Sequence, residues 1–383
     1  MSNVTVQDIF YRFYPRYLDK YTPSTMQSKT AASIMNCKTG AYGVNINVCE
    51  DCGCIQVHNN SCRNRCCPMC QALPKEKWMD LRREDVLDAP YFHVVFTVPD
   101  ELGPLIYSNQ KLLYDALYHA ASETLDELSM DSKHLGAKIG YICILHTWGS
   151  EMNYHPHIHT IVLGGGLDAK NHWRDKGDRF FLPVQVISKK FRGKYMDELK
   201  SLWKNNKLEF HGSSEKYRNH YIFQELVNSC YAKEWIPHCK KTFNGAQSVI
   251  KYLGKYTHRI AISNHRIISM DENTITFSVK DYRNEGKWKT LTLPGIEFIR
   301  RFLMHVPPKR FVRIRHYGLL STRNKGKNIT LCRNLLGCQK YISVLRDMSG
   351  PEMLKHLWKV DVCLCKSCGG HVIPHHRILP IRN

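Results

Sequence analysis

Short runs of β-branched and aromatic residues, bounded by Pro and Gly, mark the middle of the chain as strands. Phe92-His93-Val94-Val95-Phe96-Thr97-Val98 reads as one, ended by Pro99, and Gly140-Tyr141-Ile142-Cys143-Ile144-Leu145-His146-Thr147 as the next. Between them the period changes. Leu113, Leu117, Ala120, Ala121, Leu125 and Leu128 recur at helical spacing and predict a long amphipathic helix over Asn109 to Leu128. A short loop from Gly149 to Tyr154 then leads into His155-Pro156-His157-Ile158-His159-Thr160-Ile161-Val162-Leu163, so an antiparallel hairpin is expected, with Gly164-Gly165-Gly166 as the turn that ends its second strand.

The flanks carry further elements. Ile9, Phe10, Phe13 and Tyr17 predict an N-terminal helix, and Pro74 to Leu87 a basic one. Ser188 is the expected cap of a helix bearing Phe191, Tyr195, Leu199 and Leu202, and another helix is expected from about Gly245 to Thr257. Ile260-Ala261-Ile262 reads as a strand. A hairpin of Ile267–Met270 with Ile275–Val279 turns at Asp271-Glu272-Asn273.

Composition narrows the class. A length of 383 residues allows about two to three domains. The formal net charge is +21 and the pI about 9.3, an excess that favours a phosphate-rich partner, nucleic acid first among them. The first residues lack the basic and apolar regions of a secretory signal, and no apolar run approaches membrane-spanning length. A cytoplasmic protein with no membrane partner is expected, and in a reducing compartment its 16 cysteines point to metal rather than disulfides.

Cys49-x₂-Cys52 and Cys67-x₂-Cys70 are two knuckles whose thiolates suit one tetrahedral Zn²⁺. Too few large apolar residues lie between Cys37 and Cys70 for an independent core, so metal is expected to supply the folding energy there. Cys62 and Cys66 form a further pair, and Cys365-x₂-Cys368 a third knuckle. Either these four share a second zinc that joins the two ends, or each end closes its own site with Cys54, His58, Cys363 or His371. Cys37, Cys143, Cys230, Cys239, Cys332 and Cys338 are expected as small core residues.

The chemistry concentrates in two places. Strand geometry puts His157 and His159 on one face, so two neutral imidazoles converge as half of a divalent-metal site. In Lys251-Tyr252-Leu253-Gly254-Lys255-Tyr256-Thr257-His258-Arg259, helical spacing presents Tyr252 and Tyr256 on one side among Lys251, Lys255 and Arg259, which suits an anionic substrate. Further on, Arg310, Arg313, Arg315 and Tyr317 alternate cation and aromatic, as a single-stranded DNA channel requires.

The His-Ile-His pair, the Tyr-Leu-Gly-Lys-Tyr-Thr-His-Arg-Ile-Ala-Ile-Ser-Asn run, the Asn60-Ser61-Cys62-Arg63-Asn64-Arg65-x-Cys67-Pro68-x-Cys70 ribbon, Leu145–Gly149 and Arg313–Leu320 together resemble the HUH rolling-circle transposases of the insertion-sequence 91 family. Cys66 stands where relatives usually have His, and Ser150 where many have Gln. The resemblance implies an α+β architecture: an N-terminal zinc-ribbon-like domain, an HUH nuclease domain with a central antiparallel sheet flanked by helices, and a basic C-terminal region with a Cys knuckle. Expected boundaries are a helical segment at 1–36, the zinc-binding domain at 37–74, a basic linker helix at 75–90, the catalytic domain with its tyrosine helix at 91–265, and a hairpin and DNA-binding region at 266–383.

The resemblance also implies the reaction. Tyr252 and Tyr256 are the expected nucleophiles, forming a 5′-phosphotyrosine and releasing a 3′-hydroxyl. Mg²⁺ or Mn²⁺ at His157 and His159 is expected to polarise the scissile phosphate. His146 becomes the third ligand if the hairpin register sets it opposite His157; a one-residue slip would leave Glu151 instead. Expected partners are single-stranded and hairpin DNA at transposon ends, and target DNA, in a prokaryotic, nucleoid-associated setting. Competing readings are a replication initiator or relaxase of the same chemistry, and a non-catalytic zinc-dependent DNA-binding regulator.

Overall fold

The structure is a computed structural model, and it describes residues 4–177, 182–235, 237–241, 254, 260–281 and 285–379. Helices α1 (Val6–Leu18) and α2 (Thr25–Met35) each begin at a capping box, Thr5 with Asp8 and Ser24 with Gln27. Strands β1 (Val44–Cys49) and β2 (Ile55–Asn59) precede α3 (Ala72–Arg83). Then come β3 (Tyr91–Thr97), the short α4 (Gly103–Ser108), α5 (Gln110–Met130), β4 (Lys138–Trp148), β5 (Tyr154–Leu167), β6 (Trp173–Asp175), α6 (Val184–Lys204), α7 (His220–Ala232) and β7 (His238–Lys241). The described remainder holds β8 (Ile267–Met270), β9 (Thr274–Asp281), β10 (Lys287–Pro294), α8 (Gly295–Met304), β11 (Ile314–Gly318), α9 (Lys325–Leu336), α10 (Gly350–Trp358) and β12 (Val372–Ile378). Among the described residues, no helix is long and apolar enough to cross a membrane.

The central sheet runs β11-β4-β5-β3-β7, with β6 also paired to β5, and every pairing is antiparallel. Its strands are buried on both faces, so each parity of a strand meets a different core. Tyr141, Cys143 and Leu145 of β4, Ile158 and Val162 of β5, and Val94 and Phe96 of β3 pack against Leu117, Ala121 and Leu125 of α5 and Phe191 and Tyr195 of α6. Each such Leu, Ile or Phe, fully buried, contributes about 1.5–3 kcal/mol. The opposite parity, Ile142, Ile144, Ile161 and Leu163, packs against Trp78 and Met79 of α3 and Ile329 and Cys332 of α9.

A separate core joins the start of the chain to its later half. Phe10 and Phe13 of α1, Ile34 of α2, Ile275 and Phe277 of β9, and Phe298 and Phe302 of α8 share it, with Phe10 edge-on to Phe302 at 5.2 Å. The small sheet β10-β9-β8 forms one wall. Its β8–β9 turn sits where expected, closed by Asp271 Oδ1 accepting from the backbone N–H groups of Asn273 and Thr274.

Several expectations are corrected. Gly164 to Gly166 do not end β5; they lie within it, and β6 pairs alongside at Gly165 and Gly166. Glycine is needed there for close approach, since a Cβ on Gly166 would meet the Lys138 carbonyl oxygen at 2.3 Å and one on Gly165 the Trp173 ring at 2.4 Å. Ile260-Ala261-Ile262 is no strand. All three are buried, but Ala261 is left-handed (φ 51°) and the Ile262 N–H donates to the Ile260 carbonyl, so the run turns tightly to fill the core that holds Phe277. The helix assigned to a Ser188 cap begins earlier, at Val184 after Pro183, whose fixed φ presets the entry. The helix expected from Gly245 to Thr257 lies outside the described residues, except for helical Gly254.

Gly166→Ala is expected to lower the unfolding midpoint in urea by the equivalent of about 1–3 kcal/mol, because backbone rather than a flexible side chain blocks the new methyl. An unchanged midpoint would show that β4 and β5 separate there at no cost.

Candidate metal centre and zinc sites

The β4–β5 register fixes the histidines. His146 pairs directly with His157, and Ile144 with His159, so all three imidazoles lie on the sheet face that carries Ile142 and Ile161. Their ring nitrogens lie within 4.8 Å of one another, and His157 Nε2 is 3.0 Å from His159 Nε2. An ion with nitrogen bonds of about 2.1 Å in octahedral geometry sets adjacent donors about 3.0 Å apart, so the donor set fits a divalent cation. Glu151, the alternative third ligand, is turned away and pairs with Lys289 at 3.2 Å.

The rings are held in the state that ligation needs. His157 Nδ1–H donates to the His155 carbonyl at 2.6 Å, which leaves Nε2 its lone pair. His159 Nδ1 is 2.8 Å from His93 Nε2 on the neighbouring strand β3. Burial, reinforced by the neighbouring His155, lowers His157 to about 4; burial likewise lowers His93 to about 3 and His159 well below its ordinary value. At neutral pH all are uncharged, and no proton must leave before a cation binds. His146 is 2% exposed and stacks on Trp148 at 4.6 Å, while the Arg313 guanidinium lies over the same Trp148 ring, 5.4 Å from its centroid.

His93 and Trp148 were missed in the sequence. The signal was a single polar residue in the apolar run of β3, at the parity that pairing with β5 brings to the histidine face. Arg313, Arg315 and Tyr317 correct the expected DNA channel. Arg313 is buried; Arg315 pairs with Asp115 and lies 4.0 Å from the Tyr118 centroid, and Tyr317 stacks on Tyr141 at 5.3 Å. Arg315 and Tyr317 therefore face α5, on the side of the sheet away from the histidines. Arg310 is exposed. Tyr252, Tyr256, Lys251, Lys255 and Arg259 lie outside the described residues. Gly254, between the tyrosines, is described: a Cβ there would meet Met79 Sδ of α3 at 1.8 Å, on the histidine side of the sheet.

The cysteines gather in two groups, Cys37, Cys62, Cys67 and Cys70, and Cys49, Cys52, Cys365 and Cys368. The expected pairing of the first two knuckles is thus corrected: Cys49 and Cys52 join the C-terminal knuckle instead, because β1 pairs with both β2 and β12. Cys37, expected in the core, completes the other group. Cys66 belongs to neither and is buried beside Arg313 and Arg65, with burial raising its thiol to about 11. Tetrahedral zinc with bonds of about 2.3 Å sets sulfurs about 3.8 Å apart. The pairs Cys49–Cys368, Cys52–Cys365, Cys52–Cys368 and Cys62–Cys70 stand at 3.5, 3.7, 3.3 and 3.7 Å, too far for disulfides and close to that edge. Backbone N–H groups of Ser367, Gly370 and Asn64 point at Cys365, Cys368 and Cys62, and the backbone N–H groups of Cys368 and Ser367 bring the Cys365 thiol down to about 6.

Residues 9–98 match the family model "Transposase zinc-binding domain" of the insertion-sequence 91 type, and residues 140–328 match the model "Putative transposase". The chain is 39% identical over 338 residues to "Putative transposase y4qJ" of Sinorhizobium fredii (strain NBRC 101917 / NGR234), covering 88% of this chain and 85% of that protein. The chain belongs to the insertion-sequence 91 family of transposases. The transposase is also 26% identical to the "Transposase for insertion sequence element IS801" of Pseudomonas savastanoi pv. phaseolicola, over 91% of this chain and 83% of that one. Among solved structures it resembles the metal-bound conjugative relaxase TrwC in complex with oriT DNA at 14% identity, covering 43% of this chain and 70% of that chain with a TM-score of 0.24.

The transposase thus carries a zinc-binding domain and acts on DNA. Mass-spectrometric metal analysis is expected to find two zinc ions per chain, one fewer after Cys365→Ser or Cys37→Ser, and both retained after Cys66→Ser. Loss of zinc from the Cys66→Ser protein would overturn the grouping. For the histidine centre, His93→Phe is expected to weaken Mn²⁺ binding by about 10- to 100-fold in titration calorimetry, since it removes the partner that orients His159.

Proposed function

We propose that this transposase nicks and joins single-stranded DNA at element ends, in rolling-circle transposition, through a tyrosine–DNA intermediate. The observation that carries this reading is the meeting of three imidazoles on one sheet face, with burial keeping His157 and His159 neutral. Neutral ligands leave a bound cation its full charge, whereas carboxylates would cancel part of it. The close approach of Gly254 to Met79 supports it further, by bringing the backbone between Tyr252 and Tyr256 to the same side of the sheet.

Tyr252 or Tyr256 attacks the scissile phosphorus, the P–O bond to the 3′ oxygen breaks, and a 5′-phosphotyrosine forms while the 3′-hydroxyl leaves. A phenol with an ordinary pKa of about 10 is a weak nucleophile at neutral pH. Mg²⁺ or Mn²⁺ supplies Lewis-acid polarisation of the phosphate when bound. His146, His157 and His159 would hold that ion; the His155 carbonyl and His93 fix the ring orientations of His157 and His159. Two tyrosines permit a second cleavage before the first covalent link is released, as transfer from donor to target requires. The partners in this reading are single-stranded and hairpin DNA at element ends, and target DNA.

Incubation with single-stranded end DNA and Mg²⁺ or Mn²⁺ is expected to give a covalent adduct that peptide mapping assigns to Tyr252 or Tyr256. Tyr252→Phe abolishes nicking, Tyr256→Phe impairs complete transfer more than the first cut, and His157→Ala slows adduct formation on the order of a hundred-fold or more. Undiminished adduct in the double Phe variant sinks the nucleophile assignment.

A further inference from the structure

A cavity of about 840 Å³ opens where α1, α4, α8 and the start of β5 meet. Its walls are aromatic. Tyr17 and Tyr21 stack on each other at 5.0 Å, and across the cavity Tyr107 meets Tyr154 edge-on at 5.2 Å. Such a volume falls within the range of about 300–1,000 Å³ that encloses a small organic ligand. Tyr17 is buried, whereas Tyr107 is 40% exposed and stands at the mouth.

The charges in the wall are already matched. Arg300 is held by Glu297 through Nε at 2.6 Å and Nη2 at 2.8 Å, and Asp100 accepts from His155 Nδ1 at 2.8 Å. An anion would find no cation in that wall without breaking the Arg300–Glu297 pair. A flat, neutral ligand with polar edges suits it better: aromatic faces to stack on, and the Tyr107 hydroxyl, already accepting from Gln27 Nε2 at 3.3 Å, with Ser108 for its edge.

The cavity is tied to the metal centre by two hydrogen bonds. Asp100 in its wall binds His155, and the His155 carbonyl binds His157. His155 therefore stands between the cavity wall and the histidine centre, and a strand that crosses His155 meets both. Only an unpaired base is free to leave its stack and enter.

We propose that the Tyr17–Tyr21–Tyr107–Tyr154 cavity takes one unstacked nucleobase of the single-stranded DNA, a few nucleotides from the cut. The proposal rests on the strand-cutting reading above. The bound base anchors the strand so that the scissile phosphate meets the histidine centre, and its polar contacts give the site a sequence preference at that single position.

The test uses full-length protein and single-stranded oligonucleotides spanning the DNA that flanks this gene, with an abasic residue placed at each position in turn. In the wild type, one position near the cut is expected to lose between about five- and a hundred-fold in affinity, the range for one base stacked on aromatic rings. Tyr107→Ala and Tyr21→Ala remove that penalty at that position alone, and Tyr107→Phe, which keeps the ring, restores it. At the same position 2-aminopurine fluorescence is quenched by the wild type and not by Tyr107→Ala. If adducts form but abasic penalties are the same in wild type and both Ala variants, the cavity proposal is overturned while the cutting reading stands. If intact oligonucleotides give no adduct with the wild type, both fall.

Discussion

Pairing of β4 with β5 in one register is the constraint on which the rest depends. A strand has a period of two, so a slip of one residue would turn His157 and His159 to the α5 face and strip His146 of its partners. The register is held from both sides by burial: Cys143, Leu145, Ile158 and Val162 fill one core, and Ile142, Ile144, Ile161 and Leu163 the other. Neither set can be exchanged for the histidines without burying the imidazoles among α5 and α6. The apolar residues of the strands thus decide where the polar ones go, and the cluster of imidazoles follows from packing rather than from any attraction among them.

The zinc-binding region obeys a different logic. β1, β2 and β12 offer little apolar core; Ile55 and Val57 are exposed, and the buried residues of the cluster there are Cys49, Cys365 and Val372. Sulfur atoms at zinc-like spacing therefore carry the cohesion that side-chain burial supplies elsewhere. Because β12 pairs with β1, the knuckle at Cys365 and Cys368 closes a site begun more than three hundred residues earlier in the chain, and the first and last parts of the chain become one module.

Much of this was legible in the sequence. Strands β3, β4 and β5, the long helix α5 and the hairpin at Asp271 follow from local periodicity and turn chemistry, and the histidine face from strand parity. The register that brings His146 to the site is one of two that the hairpin sequence allows, and only the packing of both faces selects it. The cysteine grouping was not legible, because a Cys-x₂-Cys spacing states that two thiolates share an ion but not which other pair joins them; that choice was made by β12 pairing with β1. Arg315 and Tyr317 misled for the same kind of reason. Alternating cation and aromatic residues look alike whether a strand is exposed or covered, and here α5 covers that parity, with Asp115 and Tyr118 as partners. Gly164 to Gly166 resembled a turn because glycine marks both chain reversal and close backbone approach, and local sequence does not separate the two.

Helix α3 connects the two chemistries. It begins two residues after Cys70, so the cysteine group holds its N-terminal end. Its far half is held by Asp80. Burial pushes that carboxyl up, but hydrogen bonds from the Leu345 N–H, Ser343 and Tyr341 outweigh burial and keep it below the usual carboxylate range. Lys325 adds an ion pair to Asp85, and Arg333 a hydrogen bond to the Glu84 carbonyl. A helix fixed at both ends is what a close approach by another helical residue requires, and Gly254 makes that approach at Met79. Glycine inside a helix costs about 1 kcal/mol relative to alanine. The contact supplies a reason for it: any side chain at 254 would push that residue's backbone away from α3, and so away from the sheet face where His146, His157 and His159 converge.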